Sequence, residues 1–182
     1  MLLDSKRSAL LVIDVQDKLL PAIHDRDAVA AAIAWLVRIA GRLEVPVAAT
    51  VQYPRGLGPL DATLAALVPP EAIGTKNHFS CVAAGCLPTL PGADRAQVIV
   101  VGIEAHVCVL QTALELIEEG REVYIVADAV GSRRPQDRDA ALARLRGEGV
   151  RVVTREMVVF EWLRVAGTPL FKELSRDFLR DQ

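Results

Sequence analysis

Cys108 is the residue of this 182-residue chain whose setting most clearly suggests covalent chemistry. It follows the apolar run at 98–101 and a turn containing Gly102, and residues 109–117 repeat apolar side chains at helical spacing. This pattern predicts a buried strand, a tight turn and an amphipathic helix that opens at the cysteine. The unpaired N–H groups and dipole of that helix would lower the pKa of Cys108 from its usual value of about 8.5. Cys108 is therefore a candidate nucleophile, with a small buried hydrophobe as the alternative.

Two further reactive side chains follow predicted strands. Asp14 comes directly after the apolar run at 10–13, and Lys76 follows the short run at 73–75. The carboxyl ends of parallel strands share one edge of a sheet, where ligands bind beside a topological switch point. We therefore expect Asp14, Lys76 and Cys108 to meet at this edge. Each also has a structural interpretation, since Asp14 could cap the next turn and Lys76 could be a solvated lysine beside a loop.

An acid, a lysine and a cysteine at one site fit covalent hydrolysis at a carbonyl or nitrile carbon. The thiol must lose its proton, the charge formed during attack must be held, and the departing amine must receive a proton. Asp14 would take the thiol proton as general base and return it to the leaving nitrogen as general acid. Lys76 would stabilise both anions, and the backbone N–H groups of Glu104 and Cys108 would form an oxyanion hole.

The elements that position these residues alternate between strands and helices. Apolar patterns predict strands at 8–15, 45–51, 73–76, 98–102, 122–127 and 150–154, with helices at 28–43, 61–67 and 135–147 besides the one after Cys108. The segment at 54–59 is predicted to be irregular, and 156–179 is predicted to be helical with breaks at Gly167 and Pro169. Such alternation implies right-handed crossovers and a parallel sheet covered on both faces. The sequence therefore predicts a doubly wound α/β fold.

Composition narrows the possible classes of protein. The chain is 52% hydrophobic, which suits one domain over residues 1–182 with a sizeable core. Its formal net charge of -2 gives no overall attraction to nucleic acid or to an anionic membrane. We see no signal-peptide or membrane-span pattern and expect a cytoplasmic protein. The three cysteines fit neither a disulfide framework nor a zinc cluster, so reduced thiols are expected.

Three segments resemble the isochorismatase-like cysteine hydrolase superfamily, which includes nicotinamidases and N-carbamoylsarcosine amidohydrolase. They are LVIDVQ at 11–16, TKNHFS at 75–80 and GIEAHVCV at 102–109, and the similarity spans nearly the entire chain. The resemblance implies a Rossmann-like three-layer α/β/α fold with a six-stranded parallel sheet. It also implies a catalytic triad of Asp14, Lys76 and Cys108, a thioacyl-enzyme intermediate, and a cis peptide bond before Glu104. A homo-oligomer, at least a dimer, is implied as well, with the C-terminal segment as a candidate interface.

The chain departs from the nicotinamidases where these bind a metal. They carry an Asp-x-His pattern after the second strand, whereas this chain has TVQY at 50–53, and its three histidines lack ligand-like spacing. We therefore expect no catalytic metal and no cofactor. Because the chain keeps a cysteine, we expect an amide, ureido or related C–N substrate rather than a vinyl ether. Six residues beside the triad are candidates for contact with this small molecule: Gln16, Leu19, Gln52, Tyr53, His78 and His106.

Two other functions stay open from the sequence. One is a catalytically silent binding or scaffold protein of the same fold. The other is a thiol redox sensor, in which Cys108 is oxidised or pairs with Cys81 or Cys86, although these two cysteines are otherwise interpreted as core or helix-face thiols. The main hypothesis is a metal-independent cysteine hydrolase of a small C–N substrate.

Overall fold

One sheet of six parallel strands organises the molecule in a computed structural model, which describes residues 2–179. The strand order is β3-β2-β1-β4-β5-β6. The topological switch point therefore lies between β1 and β4, whose crossovers leave in opposite directions. The strands are β1 (Ser8–Ile13), β2 (Val47–Gln52), β3 (Ile73–Lys76), β4 (Gln97–Ile103), β5 (Glu122–Gly131) and β6 (Arg151–Val153).

Helices cover both faces of this sheet. One face packs against a core cluster that includes Ile33, Trp162 and Leu174, and the other against a cluster that includes Leu116 and Leu142. The first cluster thus takes side chains from α1, α6 and α7, and the second from α4 and α5. The helices are α1 (Arg26–Arg42), α2 (Pro54–Leu57), α3 (Ala62–Ala65), α4 (Leu110–Glu118), α5 (Pro135–Gly147), α6 (Arg155–Leu163) and α7 (Pro169–Leu174).

The central strand β1 shows why the sequence had to supply continuous apolar runs. Leu10 and Val12 lie in the first cluster, whereas Leu11 and Ile13 lie in the second. A strand covered on both faces buries successive side chains on alternate sides, so no position can be left polar without a partner. The predicted three-layer α/β/α fold with its six-stranded parallel sheet is confirmed.

Several boundaries differ from the predicted ones for local reasons. β1 ends at Ile13 because Asp14 adopts a left-handed backbone conformation with φ 54°, which a strand cannot continue. A π-helical turn at Ala105–Val109 precedes α4, so Cys108 lies inside a wide turn rather than at the opening of the α-helix. The segment expected to be irregular contains α2. Among residues 2–179, none of the helices is long and apolar enough to cross a membrane.

Gly102 lets β1 and β4 come together at the switch point. It pairs with Ile13 in the parallel register and has φ 120°, a backbone conformation that residues with side chains rarely adopt. A Cβ atom at this position would lie only 2.2 Å from the backbone oxygen of Ile13. The close approach brings the end of β1, which carries Asp14, next to the turn that carries Cys108.

Replacing Gly102 with alanine should therefore destabilise the protein by about 3 kcal/mol or more, because strain and backbone overlap add together. The matched control is Gly41→Ala in α1, where an added Cβ meets nothing within 4 Å. It should be neutral or stabilising by up to about 1 kcal/mol, from helix propensity. Urea unfolding of the three proteins gives the comparison. Equal stability of the two variants would contradict the role assigned to Gly102.

Candidate active site

A buried ion pair joins the ends of β1 and β3. The Lys76 Nζ atom lies 2.6 Å from Asp14 Oδ2, and both side chains are 0% exposed. Burying two charges costs several kcal/mol for each ion unless hydrogen bonds satisfy them. The Thr50 hydroxyl donates to the other Asp14 oxygen at 2.8 Å, while the lysine donates to Gln52 Oε1 at 2.7 Å and to the Phe79 carbonyl at 2.8 Å. The pair is thus held by residues from three adjacent strand ends.

The backbone places the Asp14 carboxylate for this contact. Asp14 has φ 54°, and its N–H group donates to the Thr50 carbonyl at 3.1 Å. A non-glycine residue in the left-handed region is uncommon and marks a position that the surrounding structure constrains. The chain therefore turns away from the sheet at the residue whose side chain pairs with the lysine.

The structure brings the Cys108 thiol to this ion pair. Cys108 is 4% exposed, and its thiol lies close enough to Asp14 and Lys76 for both side chains to shift its pKa. Burial, followed by the negative charge of Asp14, raises the pKa of Cys108 well above its usual range, although Lys76 acts in the opposite direction. The expectation of a lowered pKa is therefore wrong. The expected helix end and ammonium do not outweigh the loss of water and the adjacent carboxylate, so the resting side chain is a neutral thiol.

Both the side chain and the backbone carbonyl of Glu104 accept hydrogen bonds that stabilise the turn before the cysteine. The Ile103–Glu104 peptide bond is cis. The Glu104 carboxylate accepts hydrogen bonds from the backbone N–H and the Nε of Arg133, each at 3.1 Å, and its carbonyl accepts from the N–H groups of Val107 and Val109. The two N–H groups of the proposed oxyanion hole, those of Glu104 and Cys108, belong to this same turn.

Two predicted substrate-binding residues, Gln16 and Gln52, are buried, and their side-chain amides donate hydrogen bonds to backbone carbonyl groups. Gln16 Nε2 donates to the carbonyls of Gln52 and Gly58 at 2.9 and 2.7 Å, which uses both of its amide hydrogens. Gln52 donates through Nε2 to the Asn77 carbonyl at 2.7 Å, and its Oε1 accepts from Lys76. Gln16 therefore connects the segment after β1 with the end of β2 and with the loop at Gly58. Gln52 also contacts the Lys76 ammonium directly.

The other four candidates occupy different positions around the site. Tyr53 follows β2, is 54% exposed, and donates its backbone N–H to the Lys76 carbonyl at 2.8 Å. His78 has an exposed side chain, and its carbonyl lies 3.3 Å from the lysine Nζ. His106 lies with Nδ1 3.0 Å from Ser132 Oγ, and half-buried Leu19 packs against the first core cluster. Contact of these residues with substrate stays a prediction.

Sequence reasoning missed three partners of the site: Thr50, Arg133 and Cys81. Thr50 is an ordinary residue for a strand, so its type alone did not mark the hydrogen bond to Asp14. Arg133 belongs to no recognisable motif, yet its backbone N–H and its Nε bind the Glu104 carboxylate. The Cys81 thiol lies 3.7 Å from the Thr50 hydroxyl, so it belongs to the surroundings of Asp14.

Within residues 2–179, the His, Cys, Asp and Glu side chains form no group of three or more that could hold a metal ion. The positive charge at the triad is that of the Lys76 ammonium, which sits beside both the carboxylate and the thiol.

Comparison with known proteins gives the family. The chain belongs to the isochorismatase domain family, whose model matches residues 8–157. Isochorismatase domain-containing protein 2 of Danio rerio is 41% identical over 177 residues, covering 96% of this chain and 88% of the relative. The predicted family is confirmed, and membership supports a hydrolase function.

Solved structures of relatives share the fold over almost their whole length. A structure described as the MAR1 ribonuclease of Caenorhabditis elegans matches with a TM-score of 0.88 and 33% identity, covering 100% of this chain and 94% of that one. A structure of YcaC of Pseudomonas aeruginosa with hexane-2,5-diol and covalent acrylamide matches with a TM-score of 0.88 and 26% identity. The match covers 98% of this chain and 92% of that one. YcaC of Escherichia coli, described as an octameric hydrolase of unknown specificity, matches with a TM-score of 0.90 and 25% identity. The match covers 100% of this chain and 92% of that one.

The raised pKa of Cys108 predicts that stability falls at alkaline pH. Above about pH 8.5 the thiol ionises in the unfolded chain but stays protonated in the folded protein. The unfolded state then binds fewer protons, so the free energy of unfolding decreases by up to about 1.4 kcal/mol per pH unit. Cys108→Ser removes this titration and keeps the shape. Urea unfolding from about pH 7 to about pH 10 should show the advantage of wild type over the variant shrinking; a constant difference would contradict the raised pKa.

Proposed function

We propose that this protein is a metal-independent cysteine hydrolase of a small molecule containing an amide, ureido or related C–N bond. Cys108 is the nucleophile, Asp14 the general base and acid, and Lys76 the cation that stabilises both anions. The observation that carries the proposal is the buried 2.6 Å ion pair of Asp14 and Lys76, which lies beside a buried cysteine thiol and acts on it through both charges. The function needs no cofactor.

In the first half of the reaction the enzyme becomes acylated. Asp14 takes the proton of Cys108 as the sulfur attacks the carbonyl carbon, so a neutral thiol serves as the resting nucleophile. The resulting oxyanion accepts hydrogen bonds from the N–H groups of Glu104 and Cys108. Collapse of this intermediate breaks the C–N bond, and Asp14 gives its proton to the leaving nitrogen.

In the second half water releases the product. Asp14, again ionised, takes a proton from a water molecule that attacks the thioester carbon. The C–S bond breaks, and the sulfur recovers a proton from Asp14. The products are an acid and an amine or ammonia, and the ion pair returns to its starting state.

The setting of the nucleophile favours a small substrate. Cys108, Asp14 and Lys76 are each at most 4% exposed, so only a compact group reaches the sulfur. The exposed aromatic side chains of Tyr53 and Phe79 follow β2 and β3 and are candidates for the rim. A formal charge of -2 offers no general attraction for the phosphate backbone of RNA, so we propose a small molecule and not nucleic acid as the partner.

We also propose that the protein assembles as a homo-oligomer. The octameric state described for the related Escherichia coli protein supports this assembly. Three large apolar side chains at the C-terminal end of the chain, Phe160, Val165 and Leu170, are 48%, 62% and 38% exposed. This surface is the candidate subunit interface, because exposed apolar groups of this size favour burial against a partner.

Acrylamide provides a direct test of the nucleophile, since it is found covalently bound in a related structure. Incubation of the protein with acrylamide followed by trypsin should place one adduct in the peptide 96–121, which contains Cys108 and no other cysteine. Cys108→Ala should lack the adduct and should lose hydrolysis of small amides and ureides by about a thousandfold or more.

The matched control is Cys86→Ser, which removes another thiol outside the triad and should keep both the adduct and hydrolysis. Circular dichroism checks that both variants fold. Folded Cys108→Ala protein that still hydrolyses the amides at the wild-type rate would overturn the proposal, whereas an adduct without turnover of any amide would favour the binding-protein alternative.

A further inference from the structure

Cys81 and Cys86 form a second thiol pair near the proposed triad. Cys81 is completely buried, Cys86 is half-buried, and both are free thiols. Cys86 Sγ lies 3.5 Å from the Cys81 carbonyl oxygen, and the two residues shift each other's pKa in opposite directions. The Cys86 thiol therefore lies against the backbone of Cys81, across one short turn of chain.

This pair is connected to the ion pair through Thr50. Cys81 Sγ lies 3.7 Å from Thr50 Oγ1, and the same hydroxyl donates to Asp14 at 2.8 Å. The Phe79 carbonyl, two residues before Cys81, accepts a hydrogen bond from the Lys76 ammonium. The segment 79–81 thus contacts Lys76 through the Phe79 carbonyl and reaches Asp14 through Thr50.

The two thiols differ in how readily they react with an oxidant. Hydrogen bonding with Cys81 lowers the pKa of Cys86 to about 7, and the pKa of Cys81 is raised well above its usual range. Near neutral pH a substantial fraction of Cys86 is therefore thiolate, the form that reacts with oxidants. Cys86 is only half-buried, so a small oxidant in solvent can approach it.

We propose that Cys81 and Cys86 are a peroxide-sensitive dithiol that closes to a disulfide and slows the reactions of Cys108. A hydroperoxide is the oxidant. The Cys86 thiolate attacks one peroxide oxygen, the O–O bond breaks, and protonation of the leaving oxygen gives water or an alcohol, which leaves a sulfenic acid on Cys86. The Cys81 sulfur then attacks the Cys86 sulfur, the S–O bond breaks, and the Cys81 proton leaves with the oxygen as water. The two thiols lose two electrons and the peroxide gains them.

Disulfide formation changes the surroundings of the triad. The Cys81 S–H group no longer interacts with Thr50, and the sulfur is drawn toward Cys86. The backbone carbonyl that binds Lys76 belongs to the same segment, so the alignment of Asp14 and Lys76 with Cys108 changes. Small displacements of catalytic groups lower rates steeply, and we expect the loss to be about tenfold or more.

The test combines peroxide titration with peptide mass mapping. Both cysteines lie in the tryptic peptide 77–95, whereas Cys108 lies in 96–121, so the two events are read separately. Substoichiometric hydrogen peroxide, followed by alkylation of remaining thiols and digestion without reductant, should give a peptide 77–95 that has lost two hydrogens and carries no alkyl group. Dithiothreitol should reverse this loss, and Cys108→Ser should form the same disulfide.

The functional readout is the rate at which acrylamide modifies Cys108. It should fall by about tenfold or more in oxidised wild type, recover after reduction, and be insensitive to peroxide in Cys86→Ser. Oxidation of Cys108 before the pair, or an unchanged alkylation rate in protein that carries the disulfide, would overturn the inference. The slowing rests on the proposed reactivity of Cys108, but the mass loss in 77–95 does not. Failure of the dithiol is therefore distinguishable from failure of the hydrolase mechanism.

Discussion

The contact between Asp14 and Lys76 is the constraint on which the rest of the site depends. Two opposite charges with fully buried side chains are stable only when the remaining donors and acceptors of each are satisfied. Thr50, Gln52 and the Phe79 carbonyl meet that need, and they bring polar groups to the ends of otherwise apolar strands. The sheet edge is therefore built around the pair. Removing either charge would leave the other buried and unpaired, which costs more than the pair contributes.

The same pair determines the state of the nucleophile. A carboxylate and an ammonium side by side nearly cancel at a distance, so burial dominates and the pKa of Cys108 is raised. A protonated thiol beside a carboxylate is suited to a reaction in which attack and proton transfer are coupled. It is also protected from adventitious oxidation, because the thiolate is the reactive form. The thiol with the lower pKa, Cys86, lies in the neighbouring turn, separated from the triad by Cys81 and Thr50.

Sequence reasoning reached the fold and the meeting of the three side chains because both follow from periodicity. Apolar runs predicted the strands, and the rule that parallel strands end at one edge brought Asp14, Lys76 and Cys108 together. The protonation state of Cys108 could not be predicted from the sequence, because it depends on burial and on distances between residues remote in the chain. The roles of Thr50 and Arg133 were hidden for the same reason, since threonine is common in strands and arginine is common in loops. The π-helical turn at Ala105–Val109 has no sequence signature distinct from that of a helix start.

The most direct test of the central claim, that Asp14 is the base for Cys108, is the rate of Cys108 alkylation by acrylamide in Asp14→Asn at neutral pH. If Asp14 acts only through its charge, removing it lowers the pKa of the thiol and makes alkylation faster. If Asp14 accepts the thiol proton, alkylation becomes slower, by about a hundredfold or more. The account predicts the slower reaction, in protein whose fold is verified by circular dichroism. A rate equal to or above that of wild type would contradict it.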